Sequence, residues 1–122
     1  MNTQTIPFSG LTPDTILAAV DSVGLLSDGR LLALNSYENR VYQVGIENAA
    51  PIIVKFYRPE RWSDAAILEE HAFLAELADS ELPITPALSF DGHTLFYCAG
   101  FRFALFPKQK WTRTRNSRLR NL

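Results

Sequence analysis

No apolar run in this sequence approaches the roughly 20 residues that a helix needs to cross a bilayer, so no membrane span is expected. Met1 to Gly10 has neither a basic start nor an apolar centre, so no signal peptide is expected. A cytoplasmic location is then the default expectation. The single cysteine, Cys98, excludes an intramolecular disulfide and supplies no metal set. No Cys, Asp or Glu set stands at metal spacing around His93, so no metal ligand is expected there. The glycines fall into neither the GxxxxGK[ST] pattern of a P-loop nor the GxGxxG pattern of ordinary protein kinases. Acid is missing from residues 108–122, which hold six of the twelve basic residues. The first 107 residues therefore carry six bases against thirteen acids, a net of −7, and the tail carries +6. Such a shift in charge marks a boundary.

What is present is enough for one domain at most: 122 residues, 47% of them hydrophobic, with nothing that marks disorder. The most informative stretch runs from Pro51 to Leu77. Pro51 to Tyr57 is β-branched and aromatic and reads as a strand. Alternation puts Ile53, Lys55 and Tyr57 on one face and Ile52, Val54 and Phe56 on the other. Both faces are mostly apolar, so the strand is expected to be buried on both sides, and a lysine there needs a partner. The next helix offers one. Ser63 is its expected N-cap and Asp64 suits the first turn. Ile67, Leu68, Phe73, Leu74 and Leu77 form a broad apolar side, with Glu69 and Glu70 beside it. A strand lysine paired with a glutamate of the following helix is how protein-kinase-like folds hold the lysine that contacts the phosphates of ATP. A plainer reading stays open from spacing alone: a gatekeeper lysine on an edge strand and a solvated glutamate face.

The rest of the chain fits around this unit. Thr12, Pro13 and Asp14 open a helix whose Ile16, Leu17, Val20 and Val23 form a stripe, and Gly24 stops it. Arg30 to Asn35 and Arg40 to Ile46 read as strands joined by the polar loop 35–39. That loop lacks glycine, yet its hydroxyl, amide and backbone N–H groups can face phosphates. Ala87 to Phe90 and His93 to Tyr97, joined by Asp91-Gly92, read as a hairpin. Phe101 to Pro107 is a further strand. His71 is read as a packed or glutamate-paired residue, not a catalytic one. The fold class is α+β: a five-stranded, mainly antiparallel sheet with a packed helix and an extra N-terminal helix.

Three segments, LNSYENRVYQV (Leu34 to Val44), VKFYRPERW (Val54 to Trp62) and ILEEHAFLAEL (Ile67 to Leu77), closely resemble the bacterial stress response kinase A family. That family lies within the aminoglycoside-phosphotransferase and choline-kinase-like group. The resemblance covers roughly residues 7–107, which makes 1–107 a protein-kinase-like N-terminal lobe and 108–122 a basic tail outside the family pattern. The family implies an ATP-dependent, magnesium-using serine/threonine protein kinase of the cytoplasm, active in stress response, with ATP and a protein substrate as partners. By the same resemblance Ser36, Tyr37, Glu38 and Asn39 cover the ATP phosphates and Lys55 contacts them. Glu70 is the helix partner of Lys55, with Glu69 as the alternative. Leu105 to Pro107, including Phe106, resembles the hinge, whose backbone would hydrogen-bond adenine.

The chain departs from the family after Pro107. The second lobe, with its HGDxHxxN-like run and its later magnesium-binding Asp, has no counterpart, so neither catalytic nor metal residues are expected here and the piece is expected to be inactive alone. The abrupt change into the tail is what a frameshift or truncation product would give. A chain lacking the second lobe is also expected to expose apolar surface near Phe103 to Phe106. A different class of function is a basic-tailed binding or regulatory module without catalysis. Trp111 among the basic residues would suit nucleic acid, but so short a tail binds weakly and without specificity, so nucleic acid is not an expected partner.

Overall fold

The computed structural model describes residues 8–80 and 84–108. Pro83 and all of the basic tail except Lys108 lie outside them. Helix α1 (Pro13–Ser22) starts where the side chain of Thr12 accepts from the Thr15 N–H at 3.2 Å, with proline in the first turn. It ends at Val23, and Gly24 follows at φ +104°, a conformation that only glycine adopts without strain. Strands β1 (Ser27–Leu34), β2 (Arg40–Ile46) and β3 (Ala49–Phe56) follow as a meander, then α2 (Asp64–Asp79), β4 (Phe96–Cys98) and β5 (Phe101–Pro107). The sheet runs β1-β2-β3-β5-β4, and every neighbouring pair is antiparallel. The five strands and two helices are those expected. None of the described helices is long and apolar enough to cross a membrane.

Period-two alternation sorts the sheet into two faces. Val44 and Ile46 of β2, Ile52, Val54 and Phe56 of β3, and Phe101, Phe103 and Leu105 of β5 turn to one side. There they bury Ile16, Ala19 and Val20 of α1, with Phe8. The opposite face carries Tyr57 and Ala104, which meet Ile67 of α2 in a second, smaller cluster with Leu95 and Phe106 at its edge.

Four expectations change. β1 begins at Ser27 rather than Arg30, because a register irregularity between Ser27 and Leu31 lets extra residues bulge while still pairing with Ile46. The Asp91-Gly92 turn forms, with both residues at positive φ, but pairing stops at the single Phe90–His93 bridge. The Leu88 N–H is instead donated to the Leu105 carbonyl at 2.7 Å, so this segment is drawn to β5, and the true hairpin is β4–β5 through Ala99-Gly100. The surface expected near Phe103 to Phe106 is not open: Phe103, Ala104 and Leu105 are buried beneath the two helices, and Phe106 is half-buried. The apolar side of α2 is the reverse. Only Ile67 and His71 of its sixteen residues are buried, while Leu68 and Phe73 are 45% and 57% exposed. At about 100° per residue, Ile67 and His71 form one narrow stripe, and Leu68 and Phe73 lie well to either side of it.

Candidate functional site

Lys55 sits in the middle of β3, between β2 and β5, where Val41 and Ala104 are its register partners. Its neighbours on the strand face into the core, so Lys55 itself must face the other way, toward α2. It is half-buried, and its Nζ lies 5.2 Å above the Tyr57 ring, two residues on along the same face. A cavity of about 220 Å³ opens between this face and α2. Lys55 and Tyr57 form its floor; Ala66, Ile67 and Glu70 of α2 form one wall; Asn39 and Trp62 complete the lining.

Of the two helix glutamates, Glu70 lines the cavity. Glu69 lies about 200° round the helix from Ile67 and points away from the sheet. Glu70 and Lys55 share the cavity without closing into an ion pair within 4.0 Å. The ion pairs among the described residues are Asp28–Arg30, Glu38–Arg61 and Asp64–Arg102. The cation comes from the strand and the carboxylate from the helix, and both line the one cavity.

The polar loop 35–39 contributes unevenly. Asn39 reaches the cavity, and its Oδ1 accepts from the Arg58 N–H at 3.0 Å. The Glu38 carboxylate accepts from Arg61 Nε at 2.9 Å, and the Arg61 guanidinium stacks on the Trp62 ring at 4.6 Å. These bonds tie the loop to the turn that follows β3. Ser36 is exposed, and Tyr37 is 98% exposed and extends into solvent.

Phe106 lies on the Lys55 side of the sheet, next to Ile53, with its ring edge-on to His71 at 6.4 Å. Its backbone does not face outward. Along an antiparallel strand the N–H and C=O of successive residues alternate in direction. Arg102 accepts from Tyr57 on the β3 side and Leu105 accepts from Leu88 on the other, so Phe106 directs its backbone groups at β3.

Beneath the cavity lies a polar chain that spacing did not reveal. His71, only 5% exposed, is the one buried polar or charged side chain among the described residues. Its Nε2 bonds the Tyr57 hydroxyl at 2.9 Å and its Nδ1 bonds Thr94 Oγ1 at 2.7 Å. Its partners are thus two hydroxyls, not a glutamate. Burial lowers its pKa from the ordinary 6.5; the Glu70 charge opposes this and the Lys55 charge adds to it. Burial also pushes the Tyr57 phenol well above its ordinary range, helped by the Glu70 charge and opposed by Arg102. At the start of α2, Asp64 accepts from the Tyr97 hydroxyl and from Arg102 Nη1, and both lower its pKa, Tyr97 the more. Tyr57 was within reach of sequence reading, since alternation already set it beside Lys55. Thr94, twenty-three residues from His71, gave no signal.

With this geometry in place, comparison with known proteins decides the family. The model of the phosphotransferase enzyme family, APH, matches residues 30–117. The chain belongs to the phosphotransferase enzyme family. Its five-stranded antiparallel sheet with two helices is the protein-kinase-like N-terminal lobe of that family. Stress response kinase A of Escherichia coli (strain K12) is 48% identical over 107 residues, which cover 88% of this chain and 33% of that protein. Stress response kinase A of Shigella flexneri matches with the same identity and coverage. Serine/threonine protein kinase RdoA of Salmonella typhimurium (strain LT2) is 47% identical over 107 residues, again 88% of this chain and 33% of the relative. The chain thus spans about a third of the length of the curated relatives it matches. The family match runs past Pro107, and its last residue lies within the basic stretch.

Proposed function

We propose that this chain forms the ATP-binding lobe of a cytoplasmic serine/threonine protein kinase of the stress response type, which in its intact form transfers the γ-phosphate of ATP to a protein hydroxyl. The observation that carries this reading is the cavity between β3 and α2, with Lys55 on its floor and Glu70 on its wall. A half-buried ammonium that bonds no carboxylate among the described residues suits an anionic ligand, and the cavity is bounded by an amide, Asn39, that can bond a phosphate oxygen. In this reading Lys55 contacts the phosphates and Glu70 orients Lys55. The loop Ser36, Tyr37, Glu38 and Asn39 folds over them, with Ser36 and Tyr37 exposed. Phe106 offers the base its ring, on the Lys55 face, because its backbone is directed into the sheet.

Magnesium is part of such a reaction in the family, but the described residues do not fit a protein-held site. No three of their His, Cys, Asp or Glu side chains gather to hold a metal ion, and Glu70 is the one carboxylate lining the cavity. No step is therefore assigned to a metal here. Transfer also needs a carboxylate to orient the attacking hydroxyl. Among the described residues none but Glu70 stands at the cavity, so in this reading the lobe alone binds nucleotide and does not transfer phosphate.

Trp62 lines the cavity and so serves as a reporter. In a Trp111→Phe background, titration with ATP is expected to change Trp62 emission to saturation, while adenosine, without phosphates, binds more weakly. An emission unmoved by millimolar ATP would overturn the reading. Transfer of labelled phosphate from ATP to a generic protein substrate, abolished by Lys55→Ala, would overturn the claim that the lobe is inactive alone.

A further inference from the structure

Resting on that reading of the cavity, we propose that the Tyr57–His71–Thr94 chain positions α2, and with it Glu70, against Lys55, and that this hold fails when His71 gains a proton.

The two sides of the cavity are anchored very differently. Lys55 stands in a central strand, bonded on both flanks. Glu70 stands on a helix whose buried residues are Ile67 and His71 alone. Beyond these, Asp64 fastens the start of α2 to Tyr97 and Arg102. His71 directly follows Glu70 in the helix, so whatever fixes His71 fixes the backbone that carries Glu70. Its partners come from two further elements: Tyr57 continues β3 and shares the cavity floor with Lys55, and Thr94 precedes β4. Both ring nitrogens are thereby used, and the helix is pinned at its middle to both sides.

A neutral imidazole has one donor and one acceptor, and each hydroxyl can serve either, so both bonds are satisfied in either tautomer. A protonated ring can still donate to both hydroxyls, but it carries a charge in a site that is only 5% exposed and whose hydrogen-bond partners are neutral, and it is this charge that works against the docked position. Among the described residues, the charged and titratable groups that face the chain are Lys55 on β3, Tyr57 just after it, Glu70 on α2, and Arg102 of β5 beside Tyr57. Lys55 repels the imidazolium, Glu70 attracts it, and the Tyr57 phenol stays un-ionised. Burial outweighs the rest and lowers the His71 pKa below 6.5. With the docked value depressed, the hold is complete above the ordinary imidazole pKa and is lost as pH falls through the lower docked value.

The test uses the full 122-residue chain. ATP affinity is measured by calorimetry between about pH 8 and pH 5, a window that spans the ordinary imidazole pKa, in the wild type, His71→Phe and His71→Gln. His71→Phe keeps the ring but loses both bonds and is expected to bind ATP about tenfold more weakly at the alkaline end, the scale of two neutral hydrogen bonds. His71→Gln restores one bond and is expected to recover most of that loss. ATP itself titrates in this window, so the diagnostic is the difference: the wild type loses affinity toward acid more steeply than His71→Gln, which has no imidazole. Parallel pH profiles, or equal affinity in His71→Phe, would overturn the proposal. Should His71→Phe fail to fold, Thr94→Val removes one bond from the periphery and is expected to weaken binding about threefold; unchanged affinity there overturns it equally. A nucleotide-free readout separates failure of this inference from failure of the ATP reading. Hydrogen-exchange protection of α2 amides relative to β3, corrected for intrinsic rate, should fall with acid in the wild type and stay level in His71→Gln. A level profile in both sinks the positioning claim whether or not ATP binds.

Discussion

α1 buries Ile16, Ala19 and Val20 against strands β2, β3 and β5, whereas α2, six residues longer, buries only Ile67 and His71. The first face of the sheet is a closed aromatic and aliphatic core: Phe56 packs on Phe103 at 5.4 Å and Phe103 on Phe96 at 5.7 Å. The second has three buried residues, a cavity and one polar chain. Burial of apolar area is the main favourable term in folding. Stability therefore resides on the α1 face, and the α2 face is left loose enough to hold a ligand and to adjust around it.

Substitutions on the two faces should separate these roles. Phe103→Ala, in the closed core, is expected to cost about 3–5 kcal/mol and to unfold much of the population, read by denaturant titration. Ile67→Ala, in the small cluster, is expected to cost about 2 kcal/mol, the low end for an isoleucine, and to weaken ATP binding more than its effect on stability accounts for. Equal costs at the two sites would break the comparison. The N-caps give a finer test, because Thr12 and Ser63 cap their helices in the same way. Each replaced by alanine costs about 1 kcal/mol of helix stability. In α1 this should appear as global destabilisation; in α2 it should appear mainly as faster amide exchange in the first turn. Smallest of all, Phe73→Ser on the exposed side of α2 should change stability by no more than about 0.5 kcal/mol, because the ring is more than half exposed.

The first face was legible in the chain and the second only in part. Strand alternation separated Ile52, Val54 and Phe56 from Ile53, Lys55 and Tyr57, because period two has no ambiguity once a strand is recognised. The cap of α1 was equally plain. On α2, helical periodicity identified the helix but not the width of the face it buries. Leu68 and Phe73 are apolar enough for a core, yet only the stripe through Ile67 and His71 meets the sheet. The choice between Glu69 and Glu70 was within reach of geometry, since Glu70 alone stands near that stripe. The bond from His71 to Thr94 and the diversion of Leu88 to β5 depend on chain segments far apart in sequence, and no local pattern announces them. The strong Asp91-Gly92 signal predicted a turn correctly and a hairpin too long, because β5 competes for the same backbone donors.

The central claim is that Lys55 makes the cavity an ATP site. Calorimetric titration of ATP into the full chain and into Lys55→Ala tests it most directly. Loss of a charge-assisted bond of about 1.5–3 kcal/mol predicts at least roughly tenfold weaker binding in the variant, with stability within about 0.5 kcal/mol of the wild type. Equal affinity in the two proteins would contradict the account.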